Sequence, residues 1–188
     1  MESKNTQLFG NGVKRTYGTE AMRYNLLAAK LIGDLVEGFL GPRGLEKMFI
    51  DILGEVTVTK DGATFLRKID VEHPAAKVII EASNTVDNTV GDGTTSVVVI
   101  AGALVEKAQG LLEMGISPAL ISDGYHDALQ MAIEIIRKVA RESTNYDRRI
   151  MKYLVDTCLG SKAISHFTEE IEIPSLVVEE VCRIANFS

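Results

Sequence analysis

The sequence predicts a mainly α fold that carries one small β-hairpin. Apolar residues recur at spacings of three and four in several long segments, which is the period of a helix that buries one face. Two short runs rich in β-favouring residues, KMFID and EVTVT, flank Leu53-Gly54 and indicate two strands joined by a tight turn. With 188 residues, the chain can bury a hydrophobic core without cross-links.

The first expected element is a long helix that begins near Thr19. The stripe consists of Met22, Leu26, Ala29, Ile32, Val36 and Phe39. The sequence GPRG at 41–44 ends this helix, because glycine and proline both interrupt helical backbone. Residues 1–18 are polar and dotted with glycine, so we expect them to form a flexible N-terminal arm.

The hairpin follows, with strands at 47–51 and 55–59, and Asp61-Gly62 ends its second strand. A short helix is predicted over 63–69. Pro74 then introduces another helix, whose apolar positions run from Ala75 to its end near Val90.

The segment 95–114 is ambiguous by propensity. TTSVVVI favours a strand, but the length of the segment and its later apolar positions favour a helix, which we predict. Ser117-Pro118 is a typical helix start, with serine at the cap and proline at the first helical position, and the apolar stripe continues to Val139. Two further helices are expected over 145–159 and 175–187, joined by a connector.

Composition argues against several classes of function. Twenty basic and 26 acidic residues give a net charge of −6, and the sequence has no Lys/Arg run, so no nucleic-acid partner is expected. The longest apolar run, 97–105, is far shorter than the ~20 residues that cross a bilayer, so no membrane association is expected. The two cysteines and three histidines are scattered, which argues against disulfides and zinc. We therefore expect a cytoplasmic protein.

The hexapeptide GDGTTS, at 91–96, is the strongest candidate for a binding site. Glycines at 91 and 93 let an anion approach the backbone N–H groups at the start of a helix, where the helix dipole is positive. Thr94, Thr95 and Ser96 add hydroxyl donors. Asp92 suits a phosphate site when a cation lies between them, and Mg²⁺ uses one or two carboxylates together with phosphate oxygens. The alternative is a simple helix cap provided by Asp92 or Thr94.

Two familiar nucleotide-binding loops are absent. The sequence has no G-x-x-x-x-G-K-[ST], and the hexapeptide has serine where a dinucleotide fingerprint has its third glycine.

Three further segments are weak signals when each is taken alone. Asp61-Gly62, in TKDGATFL, is by default a turn between a strand and a helix. LGPRG, at 40–44, is by default the end of a helix. Lys162, in GSKAIS, is placed to interact with the carbonyl end of the preceding helix.

Taken in order, these segments match a known family. LGPRGLEKM, VTVTKDGATFL, IDVEHPAAKVI and VGDGTTSVVVIAGALV carry the likeness. From about Gly12 to Glu142 the chain resembles the N-terminal part of group II chaperonins, which are the thermosome and its eukaryotic cytosolic relatives. The likeness is thinner from 145 onwards.

The resemblance implies a subunit of a double-ring chaperonin that binds and hydrolyses Mg²⁺-ATP and encloses unfolded client proteins. Residues 19–144 would be the N-terminal segment of the helical equatorial ATP-binding domain, and residues 145–188 the outgoing half of the intermediate domain. The apical domain and the C-terminal equatorial segment of the family would be absent, so we expect this chain alone to hydrolyse ATP very slowly at best.

The resemblance also implies roles for individual residues. Asp92 would be the magnesium ligand and Asp61 the catalytic carboxylate near the γ-phosphate and the attacking water. The remaining nucleotide contacts would be Leu40, Gly41, Pro42, Gly62, Gly91, Gly93, Thr94, Thr95, Ser96 and Lys162, with Lys162 reading the γ-phosphate. Lys60 departs from the family pattern, which usually has asparagine there, and Ser96 stands where threonine is common.

The sequence is also consistent with two other interpretations. One is a non-catalytic interaction or ring-assembly protein that retains nucleotide binding only. The other is an unrelated small helical phosphotransferase.

Overall fold

The computed structural model describes residues 15–41, 43–51, 53–140, 147–160 and 172–184, and it confirms a mainly α fold with a small β-hairpin. The described elements are α1 (Gly18–Glu37), β1 (Lys47–Ile50), β2 (Val56–Thr59), α2 (Gly62–Lys68), α3 (Pro74–Thr89), α4 (Thr94–Glu113), α5 (Pro118–Val139), α6 (Arg148–Gly160) and α7 (Ile173–Ile184).

These elements follow the sequence-based predictions to within about three residues at their ends, which is the ordinary uncertainty of such boundaries. The ambiguous segment is the helix α4, as predicted. Residues 1–14 of the expected arm, most of the expected connector and the last residues of the final predicted helix lie outside the described residues.

Helix α4 lies at the centre of the fold, where α1, α2, α3 and α5 all pack against it. The core between these helices is formed by Ala29, Ile32, Val36, Phe39, Phe65, Leu66, Ala76, Ile79 and Val98. The predicted stripe supplies four of these residues, three of them on α1, and this buried face holds the helix in place. Burial of this apolar face is the main source of stability for such a helix.

The whole of α4 is long and apolar enough to cross a membrane, by length and composition alone. The apolar run 97–105 within it was too short for this when taken by itself. In this structure α4 packs between α1 and α3 and its Val98 is fully buried, while 17% of the apolar window as a whole is buried within the described residues. Its Glu106 forms an ion pair with Lys30 of α1 at 2.6 Å.

The hairpin closes the fold beside the start of α2. Strands β1 and β2 are antiparallel, with Lys47 opposite Thr59 and Ile50 opposite Val56. Phe49 of β1 lies edge-on to Phe65 of α2, with ring centroids 6.4 Å apart, and Phe65 lies edge-on to Phe39 at 5.3 Å. This aromatic group joins β1 and α2 to the residues that follow α1, so Asp61, at the start of α2, lies next to them.

The last three helices are less enclosed. Ser117 caps α5 as predicted, since its side chain accepts a hydrogen bond from the Leu120 N–H. The expected apolar stripe of α5 is only partly buried: Ile121 is buried, but Ile136 and Val139 are exposed, because α5 makes few contacts with α4. Helices α6 and α7 pack against each other.

Candidate functional site

The start of α4 is built to leave backbone N–H groups available. Gly93 is the N-cap, with φ 80°, in the left-handed region that glycine adopts without strain. No side chain caps the helix: the Asp92 Oδ1 accepts from the adjacent Gly93 N–H at 2.7 Å, and Thr94 is already the first helical residue. The alternative of a cap by Asp92 or Thr94 is therefore wrong. Because the first N–H groups of a helix have no partner within it, this end can receive an anion.

A buried contact fixes the first turn of α4 against α3. The Ser83 hydroxyl, fully buried, donates a hydrogen bond to the Thr94 carbonyl oxygen at 3.3 Å. Thr94 is itself buried. The backbone that presents the N–H groups is therefore held by the core rather than by the loop alone.

Asp61 lies at the start of α2 and caps that helix. Its Oδ2 accepts hydrogen bonds from both the backbone N–H and the hydroxyl of Thr64. Asp61 therefore has a structural role at the junction of β2 and α2, as the default interpretation of Asp61-Gly62 predicted, and this role uses its Oδ2 oxygen. The hydrogen bonds of the cap also hold the carboxylate in one orientation, whereas an uncapped loop residue would be free to rotate.

Arg67 links α2 to α3 behind this carboxylate. Its Nη1 donates to the Asp87 Oδ2 at 2.6 Å, and its Nη2 donates to the Thr64 hydroxyl oxygen at 3.4 Å. A continuous chain of contacts therefore joins Asp61, through Thr64 and Arg67, to Asp87.

These features converge on one open cleft of about 210 Å³. Its lining comprises Phe39, Leu40, Gly41, Lys60, Asp61, Asp87, Gly91, Asp92, Gly93, Thr94, Thr95, Ser96 and Cys158. Nine of the residues singled out in the sequence are thus brought together, although they come from three separate stretches of chain.

Three of the singled-out residues are not in that lining. Gly62 is buried one residue behind the wall, where it packs against Thr95. Pro42 and Lys162 lie outside the described residues, so their predicted roles stay predictions.

Sequence reasoning missed Phe39, Asp87 and Cys158 as lining residues and treated Lys60 only as a departure from a pattern. Asp87 carried a signal, because an acid near the C-terminal end of a helix is unfavourable unless a cation compensates it, and Arg67 does so. No sequence signal marked Cys158, because only the tertiary structure brings the end of α6 to the cleft.

The charge of the lining indicates what the cleft can bind. Three aspartates and one lysine give a formal charge of −2, which would repel a polyphosphate that has no bound cation. Within the described ranges, no cluster of three or more His, Cys, Asp or Glu side chains forms a complete metal site. The arrangement instead suits a cation shared between one or two carboxylates and an anionic ligand, which is how Mg²⁺ is usually held.

The resolved pKa shifts lie away from the cleft, at the contact between α1 and α4. The hydrogen bond from Lys30 lowers the pKa of Glu106, and the same contact raises the pKa of Lys30. Both groups are open to solvent, so this pair adjusts the α1–α4 contact rather than the chemistry of the cleft.

Comparison with known proteins identifies the family. The model of the TCP-1/cpn60 chaperonin family matches residues 32–185. The chain belongs to this family. The resemblance to group II chaperonins drawn from the motifs is thereby confirmed, because the similar curated proteins are thermosome subunits.

Among these relatives, the thermosome subunit alpha of Archaeoglobus fulgidus is 44% identical over 174 residues, which cover 93% of this chain and 32% of the relative. The thermosome subunit alpha of Aeropyrum pernix is 41% identical over 174 residues, covering 93% of this chain and 31% of the relative. This chaperonin-family chain spans about a third of the length of the curated relatives it matches.

Proposed function

We propose that the cleft binds Mg²⁺-ATP and that the chain is the nucleotide-binding part of a chaperonin subunit. The observation that carries the proposal is the convergence of Asp61, Asp92 and the uncapped start of α4 on one cleft. In this proposal the first-turn N–H groups of α4, with the hydroxyls of Thr94, Thr95 and Ser96, bind the phosphates.

The chemistry of the donors fits a magnesium ion. Asp92 is exposed beside the start of α4, and its carboxylate keeps one oxygen beyond the one that accepts from Gly93. Asp92 would hold the metal, with Asp61 as a second carboxylate nearby. A bound Mg²⁺ would neutralise phosphate charge, which is the main requirement for phosphoryl transfer.

Asp61 is suited to orient a water molecule for attack on the γ-phosphate. Its carboxylate is fixed by Thr64, and Arg67 supports Thr64 from behind, so the group is held without a flexible loop. Positioning of this kind is a large part of catalysis when the reaction needs little covalent chemistry from the protein.

The family supports a wider assignment. Residues 19–144, which run from the second residue of α1 through α5, would be the equatorial segment, and residues 145–188, which contain the α6–α7 pair, part of the intermediate domain. The ring partners would be like or related subunits, the clients unfolded proteins, and the compartment the cytoplasm. Leu40, Gly41 and Pro42 would pass beside the nucleotide and Lys162 would contact the γ-phosphate.

A second candidate is nucleotide binding and ring assembly without turnover. The capping role of Asp61 favours it, because its Oδ2 already accepts hydrogen bonds from the N–H and the hydroxyl of Thr64 and so has less capacity to orient a water molecule.

The test is calorimetric titration of the 188-residue chain with ATP, with Mg²⁺ and with EDTA. The proposal predicts binding that depends on the metal, because the lining is acidic. Absence of binding under both conditions, or equal affinity in both, would refute it. Phosphate release assayed with Mg²⁺ separates the two candidates: measurable turnover that falls in the Asp61→Asn variant supports the ATPase, and binding without turnover supports the second candidate.

A further inference from the structure

Gly62 is placed by the structure against a residue of the candidate site rather than in the cleft. It is the first residue of α2, it is buried, and it follows the capping residue Asp61. A Cβ atom at Gly62 would lie 2.3 Å from the Oγ1 and 3.2 Å from the Cβ of Thr95, in the first turn of α4. The N-terminal ends of α2 and α4 therefore touch at this point.

Space, not backbone conformation, is what requires glycine here. Gly62 is helical and has no left-handed φ, so alanine would fit its backbone. The conflict is with Thr95 alone, because the three nearest atoms all belong to that residue. A methyl group at 62 would have to displace the Thr95 hydroxyl or push the start of α4 away from α2.

We infer that Gly62 is a positioning residue for Thr95, so that it affects nucleotide binding through the Thr95 hydroxyl and not through a contact of its own. The inference rests on the proposed function, in which Thr95 contacts phosphate. Thr95 lines the cleft beside Asp61, Asp92 and Ser96, whereas Gly62 does not line it. The missing side chain lets one wall of the cleft carry both the Asp61 carboxylate and the Thr95 hydroxyl.

The test is a double-mutant cycle with Gly62→Ala, Thr95→Ala and the double variant, titrated calorimetrically with Mg²⁺ and a non-hydrolysable ATP analogue. Thr95→Ala removes the Oγ1 atom that the new methyl group would meet. We expect each single variant to bind roughly tenfold more weakly, as for loss of one hydrogen bond to a charged ligand. The double variant should bind no more weakly than Thr95→Ala, because the residue through which Gly62 acts has lost its hydroxyl.

Gly110→Ala is the matched control. Gly110 lies in α4, and a Cβ atom added to it would have nothing within 4 Å, so alanine there should leave affinity unchanged and stability equal or higher. Urea unfolding of all variants accompanies the titrations, so that affinities are compared between folded proteins.

The outcomes separate the inference from the proposed function. Binding by the wild-type chain with losses that add in the double variant, or an unchanged affinity of Gly62→Ala, would overturn the inference and leave the proposed function standing. Failure of the wild-type chain to bind would overturn both. Non-additive losses in affinity would support the inference, and a merely structural role of Gly62 would change the unfolding midpoint without this coupling in affinity.

Discussion

Replacing Asp92 with asparagine separates its charge from its role in the local structure. The only described contact of its side chain is with the Gly93 N–H at 2.7 Å, and an amide oxygen can accept that bond equally well. The free energy of unfolding should therefore change by less than about 0.5 kcal/mol, within the range of ordinary surface substitutions.

The effect on nucleotide binding should be large and should depend on the metal. An interaction with a charged group contributes about 1.5–3 kcal/mol, so loss of the metal-binding carboxylate should weaken Mg²⁺-ATP binding roughly 10- to 150-fold. Without Mg²⁺, the Asp92→Asn substitution should leave the affinity for ATP unchanged or raise it. The formal charge of the lining falls from −2 to −1, which reduces repulsion of the free polyphosphate.

Calorimetric titration of wild type, Asp92→Asn and the control Asp123→Asn, each with Mg²⁺ and with EDTA, measures these effects. Asp123 is exposed on α5 and does not line the cleft, so its substitution changes the net charge equally without touching the site. Equal effects of the two substitutions would refute the reasoning, as would a loss of affinity in Asp92→Asn that is the same with and without the metal.

Three further predictions concern the scaffold. Leu66→Ala should cost about 2–5 kcal/mol in urea unfolding, because Leu66 is 1% exposed, and a cost below about 1 kcal/mol would contradict the assigned core. Asp61→Ala should be about 1 kcal/mol less stable than Asp61→Asn, which keeps a capping oxygen, and equal stabilities would mean that Asp61 does not cap α2. Glu106→Gln should lower the melting temperature slightly at neutral pH: Lys30 lowers the folded-state pKa of Glu106 from its usual 4.5, so its contribution is present above that value and is lost as the pH falls. Melting curves that show the same difference at about pH 3 and pH 7 would contradict that assignment.

Much of the fold was accessible from the sequence because local signals agreed with the tertiary structure. Ser117-Pro118 marked the start of α5, and the stripe of α1 marked the face that packs against α4. For α4 the β-branched run pointed to a strand, and the length of the segment decided correctly for a helix because its tertiary neighbours outweigh local propensity.

The site was less accessible, because its geometry depends on how separate segments meet. The absence of a cap by Asp92 follows from the left-handed Gly93, which a sequence pattern leaves undecided. The contact of Gly62 with Thr95 and the arrival of Cys158 at the cleft are tertiary, so no local pattern predicts them. The motifs that identified the family named the phosphate-binding segments but not the Arg67–Asp87 pair behind them.

The most direct measurement of the central proposal is a titration of the ¹⁵N-labelled chain with Mg²⁺ and a non-hydrolysable ATP analogue, followed by amide NMR. The largest shifts should fall on the amides of 94–96, because those first-turn N–H groups would bind the phosphates, whereas the Gly91 and Gly93 N–H groups already donate to Val86 and Asp92. Saturable shifts that leave these amides unchanged and fall on other helices would contradict it.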